Sequence, residues 1–356
     1  HIMNLNERLF NIFKDQVVGA SVVLIKGKEE FKYTYGYRSL IDKKPVEDDT
    51  IFRIASISKV IISMAALKLV EDGLLDIDED ISKYLGYQVR NPKYPHIPIT
   101  TKMLMLHTSS ITDCNEEGSI GYDGVNGQHY FVSLEDLLTN PDSEYYSPDT
   151  YSDYTPGEKY IYSNFGPGII ACIIEKCSNQ LFTEFVDNNF LKPLAMDASF
   201  KAKNIIKKDK ISDAFNGFNT NRTAKQFIDA TYPDFPLGNN FRGPAGGLFT
   251  SMQDLSKIMI ALMNEGLYKS VRILKKETVE TLFNINFFAR RYYEDIQVTL
   301  NGATGGAYGI SSVMYFVKEK NTGICFIANG GNYKYLGPGL NNIQEGIIDV
   351  LVSEIE

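Results

Sequence analysis

The chain has 356 residues, of which 44% are hydrophobic, and a formal net charge of −8 at pH 7. A chain of this length can bury a large core, whereas its acidic balance argues against a nucleic-acid partner or an anionic membrane surface, because phosphate binding needs clustered Lys and Arg. The longest apolar run, residues 60–70, is too short to cross a bilayer, so no membrane span is expected.

The N-terminal part of the chain predicts a helix followed by a strand pair. Four apolar residues recur there at helical spacing: Leu5, Leu9, Ile12 and Phe13. Residues 17–27 (VVGASVVLIKG) and 30–38 (EFKYTYGYR) have the composition of two strands joined by a Gly-Lys turn. The amphipathic start differs from the apolar run of a signal peptide, so a cytoplasmic location is expected.

The rest of the chain is mostly helical and then returns to strands. Residues 56 to about 280 carry helical patterns and long loops, whereas residues 309–318 and 322–331 again have strand character. A closing helix places four apolar residues on one face: Ile343, Ile347, Leu351 and Ile355. The order predicts an α+β fold, in which an antiparallel sheet is flanked by the N- and C-terminal helices and interrupted by a large helical insertion.

We expect one folding unit with two lobes. An α/β lobe would comprise residues 1–55 and about 290–356, and a helical lobe would comprise about 56–289. The cleft between the lobes is the expected site. The four cysteines form no C-x-x-C pair and no His-rich ligand spacing, so neither a zinc site nor a disulfide framework is expected. We expect no metal and no organic cofactor.

A helix predicted to begin at Ser56 carries Lys59 one turn later. Residues i and i+3 lie on the same face of a helix, so the hydroxyl and the amine can come within hydrogen-bond reach. A serine hydroxyl becomes a useful nucleophile when a neighbouring base takes its proton, and burial near a helix N-terminus lowers the pKa of a lysine. About one S-x-x-K motif is expected by chance in a chain this long, so the motif alone is not decisive.

Two further stretches contain groups that a serine nucleophile can use. Tyr162, Ser163 and Asn164 precede an apolar helix expected to begin near Gly168. The phenol can relay protons and the amide can hold a substrate carbonyl, although this stretch by itself could equally be a helix-capping turn. Residues 301–312 (NGATGGAYGISS) are expected to open a strand whose bare backbone receives a substrate; the alternative is a β-bulge or a flexible turn.

These three stretches occur in the order S-x-x-K, Y-x-N and x-T-G, and two intervening segments, MLMLHTSSI and GPAGGLFTSMQDLSKIM, fit the same pattern. The sequence therefore resembles the serine β-lactamase and penicillin-binding-protein superfamily, in the branch with class C β-lactamases, D-aminopeptidases and family VIII esterases. The resemblance covers nearly the whole chain and implies the two-lobed fold of that superfamily.

The resemblance implies a role for each motif. Ser56 would be the acylated nucleophile, Lys59 its proton acceptor and Tyr162 the general base or proton relay, with the order of proton transfer left open. The N–H groups of Ser56 and Gly306 would form the oxyanion hole. The residues expected to contact the substrate are Asn164, Ala303, Thr304 and Gly305.

The chain departs from the family at Ala303, where a Lys or His usually precedes Thr-Gly and helps to attract a substrate carboxylate. Residues 103–158 also contain eleven Asp and Glu and no Lys or Arg. By the resemblance, part of this acidic segment, residues 113–158, lies near the cleft entrance, where its field would disfavour anionic substrates, unless it is simply a solvated face. Three arginines could restore the missing cation: Arg242, Arg290 and Arg291.

The sequence thus predicts a serine hydrolase with an acyl-enzyme on Ser56. We expect a peptidase or esterase that acts on a small-molecule or peptide substrate, namely a neutral or cationic amide or ester, and not an efficient β-lactamase. Two alternatives stay open: a true DD-peptidase or β-lactamase, and a non-catalytic sensor or scaffold that binds peptides. His107 is expected to have a structural hydrogen-bonding role.

Overall fold

The structure, a computed structural model, describes residues 4–114, 120–337 and 339–355. In chain order the strands are β1 (Gly19–Lys26), β2 (Glu29–Ser39), β3 (Lys44–Pro45), β4 (Phe52–Arg53), β5 (Ala214–Asn216), β6 (Asn219–Arg222), β7 (Phe249–Thr250), β8 (Leu267–Tyr268), β9 (Val271–Arg272), β10 (Ala289–Tyr293), β11 (Val298–Ala307), β12 (Ile310–Val317) and β13 (Thr322–Ala328). The helices are α1 (Leu5–Phe13), α2 (Ser58–Glu71), α3 (Ile81–Leu85), α4 (Thr101–Met105), α5 (Tyr122–Val125), α6 (Leu134–Thr139), α7 (Phe165–Ser178), α8 (Phe182–Val186), α9 (Ala224–Asp229), α10 (Met252–Met263), α11 (Lys276–Asn284) and α12 (Asn342–Ser353).

A seven-stranded antiparallel sheet joins the two ends of the chain. Its strand order is β10-β11-β12-β13-β1-β2-β3. Strand β1 lies against β13, with Ala20 opposite Ala328, so the N-terminal hairpin and the C-terminal strands share one sheet as predicted. Every residue of β12 and β13 is buried. Their nearly continuous apolar sequences follow from this position, because both faces of the sheet are covered.

The terminal helices cover one face of this sheet, which confirms the α+β prediction. Leu9 and Phe13 of α1 and Ile347 and Leu351 of α12 are fully buried in one apolar cluster with the strands. The Phe13 ring stacks on that of Phe326 with centroids 5.6 Å apart. Burying each such side chain contributes about 1.5–3 kcal/mol. The helical spacing of the apolar residues therefore determines which side of each helix meets the sheet.

The opposite face carries the helices that hold the candidate site. Helix α10 packs on β13 and β1, and α2 packs on α7. Apolar residues surround α2 on most sides, as expected for a helix at the centre of a domain. No helix in the described part of the chain is long and apolar enough to span a bilayer. The division into lobes at residues 1–55, about 56–289 and about 290–356 stays a prediction.

Several predicted element boundaries were wrong, among them the start of α7 and the place of the Gly-rich stretch. Helix α7 begins at Phe165, three residues before the predicted start at Gly168. The Gly-rich stretch does not open a strand, because residues 301–307 form the second half of β11 in regular register with β12. Tyr308 and Gly309 then make a tight hairpin turn, both with positive φ (57° and 83°). Glycine has low strand propensity, so this half of β11 carries no local strand signal.

Candidate active site

Ser56 lies in a single 3-10 turn, Ala55–Ile57, between strand β4 and helix α2. This differs from the predicted position inside the first turn of the α-helix. Ala55 has a φ of +57°, which is unfavourable for a residue with a side chain. The hydroxyl of Ser58 fixes the turn, because it donates to Ala55 O at 2.6 Å and accepts from Leu248 N at 3.0 Å.

The Ser56 hydroxyl oxygen contacts both predicted proton-transfer groups. Lys59 Nζ lies 2.9 Å from Ser56 Oγ, and the Tyr162 hydroxyl lies 2.6 Å from the same oxygen. Lys59 Nζ also donates to the carbonyl of Ala245 at 3.0 Å. The structure therefore brings together Ser56, Lys59 and Tyr162, with distances that suit direct proton transfer.

Burial changes the proton affinities of these groups. Only 8% of Lys59 is exposed, and burial lowers its pKa to about 7 although the charge of Asp113 opposes the shift; Arg53 lowers this pKa further. Burial also raises the pKa of Tyr162, against the effect of its hydrogen bond with Ser56. With a pKa of about 7, Lys59 can be uncharged near neutral pH, whereas Tyr162, whose pKa lies above its ordinary value, keeps its proton. These pKa values favour Lys59 as the base and Tyr162 as the relay.

His107 holds the segment that carries Tyr162. Its Nδ1 accepts from Ser163 N at 3.1 Å, and its carbonyl accepts from Ile161 N at 2.8 Å. The imidazole ring also lies 4.7 Å from the Tyr162 ring. Burial, together with the charge of Lys59, lowers the pKa of His107 to about 4, so the ring is a neutral acceptor. The predicted hydrogen-bonding role is therefore present in the structure.

Asp113 anchors the other end of this segment, and the sequence did not single it out. Its buried carboxylate accepts from Asn164 N at 3.0 and 2.9 Å and from Phe165 N at 2.8 Å. These donors open helix α7, where a carboxylate is stabilised by free N–H groups and the helix dipole. The side-chain amide of Asn164, unlike its backbone N–H, makes no hydrogen bond to another described group. This residue lines the cleft beside Ser56.

A second segment, which the sequence analysis named without giving it a role, contacts the residues around Ser56. Within the stretch GPAGGLF, Ala245 supplies the carbonyl that binds Lys59, and Gly246 O accepts from Arg53 Nε at 2.9 Å. Ile54 N donates to Leu248 O at 2.9 Å. The three glycines in this stretch were the available signal, because glycines allow close backbone approach.

The second half of β11 forms the opposite wall. A Cβ atom on Gly305 would lie 2.8 Å from Ile54 O and 3.0 Å from Ser56 N, so a side chain cannot be accommodated there without a shift. Strand β10 pairs with β11 only as far as Gly302, opposite Ala289, so the edge of β11 from Ala303 onward has no strand partner among the described residues and lies beside Ser56. Gly306 lines the cleft with Ser56, as the predicted oxyanion hole requires.

Two cavities meet at Ser56 and Tyr162. We call the first the aromatic cavity; it has a volume of about 360 Å³, and its walls include Asn164, Gly306 and Tyr232. The second, the Ala303 cavity, has a volume of about 550 Å³. Its walls include Lys59, Ala303, Met105, Phe287 and Phe288. Thr304 borders the Ala303 cavity and also a third cavity next to Arg291 and Glu345.

None of the three arginines proposed to replace the missing cation lines the Ala303 cavity. Arg242 is buried, donates to Gln128 O at 2.8 Å and lies 4.7 Å from the centroid of Phe235. Arg291 pairs with Glu345 at 3.1 Å, and Arg290 is exposed on β10. Two arginines that the sequence did not single out, Arg53 and Arg222, line the aromatic cavity instead.

The acidic segment contributes no described carboxylate to the aromatic cavity. Its residues on that wall are Tyr122, Asn126, Gly127 and His129. Asp113, which is buried, is occupied by the backbone N–H groups at the start of α7. Glu116 and Glu117 lie outside the described residues. The expectation of an acidic cleft entrance therefore has no support from the described walls.

Comparisons with known proteins agree with this geometry. The Beta-lactamase family model matches residues 6–339. "Protein flp" of Staphylococcus aureus (strain MRSA252) is 28% identical over 324 residues, which are 89% of this chain and 60% of that protein. The chain thus spans about 60% of the length of this curated relative.

Two solved structures show the same fold. A D-amino acid amidase from Ochrobactrum anthropi SV3, complexed with L-phenylalanine amide, has a TM-score of 0.74 at 20% identity, covering 99% of this chain and 98% of that one. A penicillin-binding protein from Bacillus halodurans has a TM-score of 0.71 at 18% identity, covering 99% of both chains. The family match over residues 6–339 shows that the chain belongs to the Beta-lactamase family.

Proposed function

We propose that this protein is a serine hydrolase that forms its acyl-enzyme on Ser56. It would cleave amides or esters whose leaving groups are uncharged. It would act as an amidase, peptidase or esterase and not as an efficient β-lactamase. The observation that carries the proposal is the position of Ser56 Oγ, 2.9 Å from the amine of Lys59 and 2.6 Å from the hydroxyl of Tyr162.

The proposed chemistry has two steps. Uncharged Lys59 takes the proton of Ser56 as Oγ attacks the substrate carbonyl carbon, and the N–H groups of Ser56 and Gly306 stabilise the oxyanion. The proton then passes to the leaving nitrogen or oxygen, directly or through Tyr162, as its bond to the carbonyl carbon breaks. Water attacks the acyl-enzyme in the same way and releases a carboxylic acid and free Ser56.

The leaving group is expected to occupy the Ala303 cavity. Lys59, which returns the proton to the leaving group directly or through Tyr162, lines that cavity and not the aromatic cavity, whereas Tyr162 lines both. The surroundings there are largely apolar, with Met105, Phe287 and Phe288 beside Ala303. Apart from Lys59, no Lys or Arg of the described chain lines this cavity. A leaving group with a carboxylate, such as the one an opened β-lactam ring presents, would be desolvated there without a partner cation.

Two further observations support hydrolysis of amides or esters. The fold is shared with a D-amino acid amidase, so it is compatible with amide cleavage. The contacts of Ser56, Lys59 and Tyr162 are all present, and burial lowers the pKa of Lys59 to about 7. A chain that only bound peptides would not need a buried lysine of this kind, because burying a charge is unfavourable. We therefore favour a hydrolase over the non-catalytic alternative.

Intact mass and turnover test this proposal. The protein is incubated with 4-nitrophenyl hexanoate, D-phenylalanine amide and a chromogenic cephalosporin. We expect a transient hexanoyl adduct and faster turnover of the ester or the amide than of the cephalosporin. Ser56→Ala should abolish the adduct, whereas Ser256→Ala, which changes a buried serine on α10 outside both cavities, should not. An adduct that persists in Ser56→Ala, or preferential acylation by the cephalosporin, would overturn the proposal.

Ala303→Lys tests the argument about the leaving group. The new ammonium would lie in the Ala303 cavity, where it could pair with a substrate carboxylate. We expect acylation by benzylpenicillin to become faster and hydrolysis of 4-nitrophenyl hexanoate to become slower. Ala303→Met, which fills the cavity without a charge, is the matched control. Equal penicillin acylation in both variants would show that the missing cation is not the cause.

A further inference from the structure

Two guanidinium groups in the aromatic cavity have no carboxylate partner among the described residues. Arg53 and Arg222 both line this cavity, and no Asp or Glu of the described chain does. Neither arginine forms an ion pair within the parts of the chain that the structure covers. The whole chain carries a net charge of −8, so this local excess of positive charge runs against its overall balance.

The Arg53 guanidinium is held in place but not saturated. Its Nε donates to Gly246 O at 2.9 Å, and its guanidinium carbon lies 4.3 Å from the centroid of the Tyr308 ring. These contacts occupy the Nε edge and one face of the Arg53 guanidinium. Its two Nη groups have no hydrogen-bond partner among the described residues. The Arg222 guanidinium carbon lies 5.5 Å from the centroid of Phe227, which lines the same cavity.

A guanidinium in this setting is suited to bind a carboxylate. Its planar set of N–H donors matches the two carboxylate oxygens, and stacking on an aromatic ring fixes its plane before the ligand arrives. Asn164, whose amide faces the same cavity, adds a neutral donor and acceptor close to Ser56. The aromatic cavity therefore combines apolar walls with donors that favour an anion.

The aromatic cavity receives the acyl half of the substrate, given the proposed function on which this step rests. The leaving half occupies the other cavity because Lys59, which protonates it, lies there. We infer that the aromatic cavity selects acyl groups that carry a carboxylate, so that the preferred substrate is an amide or ester with an anionic acyl half and an uncharged leaving half. The cations that bind the substrate carboxylate would then be Arg53 and Arg222 on the acyl side, and not the Lys or His that usually precedes Thr-Gly on the leaving-group side.

Three esters with one leaving group test the inference. They are the 4-nitrophenyl esters of adipic acid (the monoester), hexanoic acid and 6-aminohexanoic acid. All three have a six-carbon acyl chain, whose far end is an anion, an uncharged methyl group and a cation, respectively. Hydrogen bonds to a charged group predict a kcat/KM for the adipoyl ester that is about tenfold above that for the hexanoyl ester. The aminohexanoyl ester should be the slowest of the three.

Arginine variants locate the effect. Arg222→Gln and Arg53→Gln should each lower the ratio of adipoyl to hexanoyl kcat/KM, by up to about tenfold. The ratio cancels any change in Lys59, which Arg53 influences, because both esters use the same nucleophile. Arg290→Gln removes an equal charge from exposed strand β10, outside both cavities, and should leave the ratio unchanged.

A binding measurement separates this inference from the proposed function. Calorimetry on Ser56→Ala compares the monoamide of adipic acid, which carries one carboxylate, with hexanamide, which carries none, and needs no turnover. We expect tighter binding of the adipic monoamide and loss of this preference when Arg222→Gln is added. Hexanamide binding as tightly as the adipic monoamide, or a ratio of adipoyl to hexanoyl kcat/KM unchanged in both arginine variants, would overturn the inference even if Ser56 is acylated. Ester hydrolysis that persists in Ser56→Ala would instead overturn the proposed function.

Discussion

The titration of Lys59 connects stability and catalysis. Burial lowers its pKa from 10.5 to about 7. Below pH 7 the folded state must keep a charged lysine buried, and between pH 7 and 10.5 the unfolded chain carries this proton while the folded chain does not. Raising the pH therefore stabilises the folded state. The pKa of Lys59 is lowered from 10.5 to about 7, and each pKa unit corresponds to about 1.36 kcal/mol. At low pH, where Lys59 is charged, the free energy of unfolding is therefore about 5 kcal/mol lower than it would be if this amine were uncharged in both states.

Lys59→Met is the corresponding perturbation, because it keeps the length of the side chain and removes the titration. We expect the free energy of unfolding of the natural protein, relative to that of the variant, to rise by about 3 kcal/mol between pH 6 and pH 9. Denaturant unfolding at several pH values measures this, and groups common to both proteins cancel in the difference.

The same titration predicts the activity profile. Because uncharged Lys59 is the proposed base, kcat/KM for 4-nitrophenyl hexanoate should rise with pH and level off above an apparent pKa of about 7. Lys59→Met should lose acylation by at least about a hundredfold. A stability difference that is flat from pH 6 to pH 9, together with an activity limb near pH 10, would refute the argument that burial prepares this lysine.

Three other variants test the surrounding structure. Gly305→Ala should lower stability and activity, since its Cβ would lie 2.8 Å from a backbone oxygen. Gly306→Ala, with open space around the added atom, should keep the melting temperature of the unmodified protein. Equal melting temperatures for the two variants would contradict the close approach at Gly305. His107→Phe should lower kcat by releasing the segment that holds Tyr162, and His107→Asn, which keeps an acceptor, should recover part of it; identical rates would count against this positioning role. Asp113→Asn removes a charge that raises the pKa of Lys59, so the rising limb of kcat/KM should move to lower pH, and a move to higher pH would show that the sign is wrong.

The sequence predicted the features that depend on short-range order. The helical spacing of Leu9, Phe13, Ile347 and Leu351 predicted which sides of α1 and α12 are buried. Strand-like composition on either side of a Gly-Lys turn predicted the N-terminal hairpin. The sequence-based prediction was wrong for the second half of β11. This glycine-rich segment carries no local strand signal, and its pairing with β12 holds it in the sheet. Such pairing is a tertiary interaction that the pattern of one segment does not encode.

The candidate site divides in the same way. Ser56 and Lys59 are three residues apart, so helix geometry alone predicted that they meet. Their contact with Tyr162, more than a hundred residues away, entered only through the family resemblance, and the structure supplies the distance. Asp113 and the carbonyl of Ala245 had no local signature, because each acts on a segment distant in the sequence.

Charge placement shows the difference most clearly. The sequence determined which ionisable groups exist and that position 303 lacks a cation. Only the tertiary structure decided that Arg242 is buried among aromatic rings, that Arg53 faces the cleft, and that Lys59 is buried deeply enough for its pKa to fall to about 7. The physical reason is that a charge acts through its distances and its exposure to water, and both are set by packing between segments far apart in the chain.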